Sequence, residues 1–132
     1  CRVLSDHPRN LTADQFRAIR DANGCVGLNT WHEFVDKDPA KADVHRLADH
    51  CEHMIDIMGI DHVGCGFDFC DYLEDPDDPA GADFSSGAVT GLEDPSKIPD
   101  FFDILRQRGM REDEIAKIAY GNFHRIIKEV IG

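Results

Sequence analysis

Apolar residues recur along this chain at two spacings, one helical and one alternating or continuous, and the two take turns. Leu11-Thr12-Ala13-Asp14-Gln15-Phe16 is a helix start. Thr12 can cap, Gln15 completes a capping box, and Leu11 with Phe16 forms a hydrophobic staple. The helix is expected to stop at Asn23-Gly24, with Gly24 in the left-handed conformation. Cys25-Val26-Gly27-Leu28-Asn29 then reads as a short buried strand. Asp38-Pro39 opens the next helix, Pro39 being tolerated in a first turn. Val44, Leu47, Cys51, Met54, Ile55 and Met58 give that helix one apolar face, and Gly59 ends it. His62 to Gly66 is the second strand, inside the run Ile60-Asp61-His62-Val63-Gly64-Cys65-Gly66-Phe67-Asp68-Phe69. From Cys70 to Thr90 no period is visible, and Asp, Pro, Gly and Ser dominate. An amphipathic helix comes next over Ile98–Arg108, and a last helical stretch runs from Arg111 to Ile131 with a break at Gly121.

Strands that alternate with helices predict an α/β fold with a parallel sheet. Two strands alone leave both edges of such a sheet open, and parallel sheets need more strands and covered faces. The chain is therefore expected to be part of a larger α/β domain, the missing strands coming from other residues or another chain. Its start on Cys1, without Met or an apolar leader, agrees with that expectation.

Composition narrows the partners. With 132 residues, 42% of them hydrophobic, the chain can form a core. A formal net charge of −12 argues against nucleic acid and anionic membranes, which bind basic surfaces. No apolar run approaches the length of a membrane span. Five cysteines without a CxxC give no zinc knuckle; they read as reduced, structural thiols and point to a reducing compartment, the cytoplasm. Oligomeric state is open, a homodimer included.

Parallel α/β folds place their chemistry at the carboxyl ends of the strands, so Asp68 is the first candidate carboxylate. Asn29 ends the other strand and could support it. His32-Glu33 reads as a polar loop past Trp31. His45, His50 and His53 lack a carboxylate partner or ligand spacing and read as surface or supporting groups rather than a metal face. The acidic positions Asp71, Glu74, Asp75, Asp77, Asp78 and Asp83 miss the register of a calcium loop. Cys65 and Cys70 have no neighbouring base in sequence that would activate them.

Several segments together resemble the membrane (renal) dipeptidase family of zinc peptidases, within the amidohydrolase superfamily. They are His7-Pro8-Arg9-Asn10-Leu11-Thr12, Gly59-Ile60-Asp61-His62-Val63-Gly64, Asp68-Phe69, Gly91-Leu92-Glu93-Asp94 with Ser96-Lys97, and Gly121-Asn122-Phe123. The resemblance implies the C-terminal part of a (β/α)8 TIM barrel, namely its last two βα units and closing helices. It implies one domain segment over 1–132, with the N-terminal metal-binding part of the barrel absent from this chain. That remainder is then an expected partner, in the same or a separate chain. It also implies a zinc-dependent dipeptidase that uses a metal-bound hydroxide and two zinc ions whose ligands all lie upstream, leaving no metal ligand in this chain. Substrates would be small dipeptides, including those with a D-residue on the C-terminal side. Arg9 matches the arginine that binds the dipeptide carboxylate, and Asp68 the aspartate that handles protons or the substrate amine. Where many members read Asp-Phe-Asp-Gly, this chain has Asp68-Phe69-Cys70-Asp71, which bears on substrate preference. The chain alone is expected to be inactive. Two further readings stand beside this one: a catalytically inactive binding or regulatory fragment, and another amidohydrolase activity such as lactone or N-acyl amino acid hydrolysis.

Overall fold

The computed structural model describes residues 1–70 and 87–132, and most of the expected Cys70–Thr90 loop, with its acidic positions, lies outside them. Helix α1 spans Ala13–Asp21 and has the capping box its sequence implies, with Thr12 accepting from the Gln15 backbone and Gln15 from the Thr12 backbone. Its end differs from expectation. Asn23, with φ of 58°, takes the left-handed position, while the Asn23 and Gly24 amides donate back to Arg20 and Ile19 carbonyls. Gly24 is required for another reason: a Cβ there would lie 2.8 Å from the Ile19 Cγ2 atom.

Strand β1 covers Val26–Asn29, and a four-residue helix α2 covers His32–Val35. The expected polar loop at His32-Glu33 is thus a helical turn, too short to show a period in sequence. Asp38-Pro39 opens only a 3-10 turn, Pro39–Lys41. Helix α3 starts later, at Val44–Met58, with Asp43 as its cap accepting from the Arg46 amide. Strand β2 is Val63–Phe67, entered through a 3-10 turn at Ile60–His62. Helix α4 is Ile98–Gln107, α5 is Glu112–Ala116, and α6 is Asn122–Ile131. A π-helical turn, Lys117–Gly121, joins α5 to α6 at the expected break.

β1 and β2 pair in parallel, with α3 as the crossover between them. Leu47, Cys51, Met54 and Met58 of α3 form one buried cluster with Leu28, Val63, Phe101 and Leu105. Phe101 of α4 meets Phe67 of β2 edge-on at 5.7 Å. Cys65, expected to be buried, is half-buried, and Cys25 lies just outside β1 and is also half-buried. Phe123 of α6 lies against the strand backbones at two glycines. A Cβ on Gly64 would stand 2.5 Å from the Phe123 ring, and one on Gly27 3.2 Å from it. The end of the expected loop is anchored by its backbone: Val89 donates to Thr30 O, Thr90 to Ala42 O, and Val44 to Thr90 O. These bonds tie the carboxyl end of β1 to the start of α3. Among the described residues no helix is long and apolar enough to cross a membrane.

Candidate functional site

The register of the sheet positions Asp68. Val26, Gly27 and Leu28 pair with Val63, Gly64 and Cys65, but Asn29 pairs with Phe67, so β2 carries one extra residue, Gly66. Such a bulge bends a strand and re-aims the residues after it. Phe67 and Asp68 then both adopt left-handed backbone, with φ of 46° and 69°, and the Asp68 amide donates to Gly66 O at 2.6 Å. Two consecutive non-glycine residues in this region are strained. Thr30 holds the turn, since its amide and its hydroxyl both donate to Phe67 O, at 2.9 and 2.6 Å.

The Asp68 carboxylate thereby comes to Asn29, whose Nδ2 donates to Asp68 Oδ2 at 2.9 Å. Asn29 Oδ1 accepts from the Trp31 amide at 2.8 Å. On the other side, the Cys70 thiol lies 3.7 Å from Asp68 Oδ1.

Arg9 sits on the loop before α1. Asn10 pins that loop by donating to Ser5 O and Phe34 O, both at 2.8 Å, and Arg46 does so by donating to Leu4 O at 2.9 Å. The Arg9 guanidinium lies 4.9 Å from the centre of the Phe34 ring, which His7 packs against as well. Every other arginine of the chain forms an ion pair with a carboxylate. Arg9 forms none among the described residues, in a chain of net charge −12. Its guanidinium keeps a planar fork of donors suited to a carboxylate.

Arg9 and Asn29 line one cavity of about 250 Å³ along the free edge of β1, with Phe34, Leu28 and His50. Asp68 adjoins it through Asn29. No hydrogen bond or ion pair joins Arg9 to Asp68 directly.

His50, expected at the surface or in support, is a buried structural group 3% exposed. Its Nε2 lies 2.8 Å from Val35 O and must donate, so Nδ1 accepts from the Cys1 nitrogen at 2.7 Å. Burial pushes its pKa down to about 4. His62 donates Nδ1–H to Gly24 O at 2.8 Å, and His32 Nδ1 lies 3.1 Å from Gly87 O. Burial and then the neighbouring Cys25 push Cys65 up to about 12, and burial pushes Cys51 up as well, so both stay thiols. Among the described residues no group of three or more His, Cys, Asp or Glu is placed to hold a metal ion.

Sequence reasoning attached no role to Asn10, Thr30 or Phe34. The signal for Asn10 was present, since it comes directly after Arg9 in a segment that resembles the dipeptidases. Thr30 and Phe34 act through contacts that span 37 residues or involve a short helix, and spacing does not show these.

The membrane dipeptidase model, peptidase family M19, matches residues 1–131. A protein of Schizosaccharomyces pombe named as an uncharacterized dipeptidase is 33% identical, over 93% of this chain and 27% of its own length. A metallopeptidase of Rhodobacter sphaeroides, solved with a phosphinate mimic of the dipeptide L-Ala-D-Ala, superposes with a TM-score of 0.77 at 27% identity. It is covered to 33%, with 96% of this chain matched. An amidohydrolase of Pseudomonas aeruginosa superposes with a TM-score of 0.80 at 26% identity, over 98% of this chain and 43% of its own. The chain thus spans between about a quarter and under a half of the proteins it matches. Its βαβ unit and closing helices are the C-terminal part of their TIM-barrel fold. The chain belongs to the membrane dipeptidase family of metallopeptidases.

Proposed function

We propose that this chain supplies the carboxylate-binding and proton-handling part of a zinc-dependent dipeptidase. The observation that carries the reading is Arg9, an arginine without a carboxylate partner among the described residues, at the rim of a cavity that Asn29 connects to Asp68. A guanidinium forks onto a carboxylate through two parallel charged hydrogen bonds, so Arg9 suits the C-terminal carboxylate of a dipeptide. The Asp68 carboxylate, held at Oδ2, takes a proton from the attacking water and returns it to the leaving amine. The two zinc ions that the resemblance implies would be held by residues of the N-terminal remainder of the barrel, and none of the residues given a role here is asked to hold one.

The test compares a dipeptide with its C-terminal amide in the complete, metal-loaded protein. The dipeptide should be the better substrate. In Arg9→Ala its KM should rise about 10- to 100-fold, the value of a charged hydrogen bond, while that of the amide stays put. Equal KM values for both substrates in wild type and variant would refute the role of Arg9. Hydrolysis of lactones or N-acyl amino acids with no dipeptide turnover would replace the dipeptidase reading.

A further inference from the structure

We infer that Asn29 is a positioning residue that holds the Asp68 carboxylate in its working orientation, an inference that rests on the proton-handling role proposed for Asp68. Its side-chain amide has one orientation compatible with both neighbours. The Trp31 backbone N–H is a donor, so the atom 2.8 Å from it is the amide oxygen. The Asp68 carboxylate accepts, so the amide nitrogen faces it, at 2.9 Å. Turning the amide over would break both bonds at once.

Asp68 needs such a partner. It stands after a bulge, on a turn whose two residues are left-handed, and Thr30 secures the backbone of that turn but not the carboxylate. Besides Asn29, the Cys70 thiol faces the carboxylate, at 3.7 Å and as a weak donor. A single-bond rotation would swing the carboxylate away from the cavity rim if the amide were lost. Asn29 lies on β1 and Asp68 after β2, so the bond also ties the ends of the two strands across 39 residues of sequence.

Asn29→Asp is the selective variant. Its carboxylate still offers an oxygen to the Trp31 amide, so the turn survives, while the donor to Asp68 becomes a like charge. Asn29→Ala removes the donor without adding charge. In the complete protein both variants should lose roughly 10- to 100-fold in kcat, the usual cost of an outer-shell partner, with KM for dipeptides unchanged. Asn29→Asp should also move the acid limb of the kcat–pH profile to higher pH, because facing carboxylates resist ionising together. Melting curves establish that each variant is folded. Wild-type kcat and an unmoved pH profile in either folded variant would overturn the inference. Asp68→Asn separates the two layers. If it is inactive while the Asn29 variants are normal, only the positioning role falls; if it is fully active, both fall.

Discussion

The two ends of the small sheet are built on opposite terms. At the amino end the polar side chains Asn122, Lys117, Arg125 and His62 all close on protein partners. Asn122, 3% exposed, donates through one nitrogen to Ile60 O and Val63 O, both at 2.7 Å. Lys117 pairs with Asp61 at 2.6 Å, Arg125 donates to Asn23 O and Asp61 O, and His62 to Gly24 O. At the carboxyl end Arg9 meets no carboxylate among the described residues, the backbone is bulged and left-handed, and the Asn29 amide holds the Asp68 carboxylate. The first arrangement stabilises the chain, and the second carries the groups proposed to meet a ligand. Barrel enzymes divide stability and chemistry between their two faces in this way.

The largest expected effect belongs to the carboxyl end. Asp68→Asn keeps the shape of the side chain but cannot take a proton, so kcat should drop by about 10² to 10⁴ with little change in melting temperature. A large loss of stability instead would break the division of labour. Asn122→Ala should do the reverse. It strands two carbonyl acceptors at about 1 to 3 kcal/mol each, so urea unfolding should show a loss of about 4 kcal/mol, while kcat of the folded fraction stays normal.

The cavity wall gives a third test, through pH. His50 is pushed down to about 4 in the folded state from an ordinary 6.5, so the unfolded chain binds more protons between those values. Stability should therefore be full above about pH 6.5 and decline as pH falls toward 4, by on the order of 3 kcal/mol. Urea midpoints against pH, compared between wild type and His50→Gln, measure it; identical slopes would deny the histidine this role. The smallest effect is expected at Gly64. Gly64→Ala puts a methyl 2.5 Å from the Phe123 ring and should cost about 2 kcal/mol. Phe123→Leu in the same protein should recover part of it, if that contact is the cause.

The elements of the fold arise from short-range signals, and the errors show where those signals compete. Thr12 and Gln15 cap α1 as their spacing implies, because both partners lie within one turn. Asp38 and Asp43 offer the same capping chemistry five residues apart. The choice of Asp43 rests on the bond from Val44 to Thr90 O, 46 residues away in sequence, which no local pattern reveals. Asn23 displaces Gly24 from the left-handed site because both residues tolerate it and the Ile19 side chain then decides. At the proposed site, strand-end position singles out Asp68 and family resemblance singles out Arg9, and both roles rest on the proposal. The bond between Asn29 and Asp68 is not, because it depends on the extra residue that β2 carries.

That extra residue changes how β2 can be read at all. An alternating strand is a two-letter code, in which odd and even positions name opposite faces. Gly66 shifts the phase of the code just before its last letter is used. Deleting Gly66 would restore an unbroken alternation and a more regular sheet, and would send Asp68 out of phase with Asn29. The protein would then be better ordered by every rule of strand design and would have lost the registration between its two strand ends.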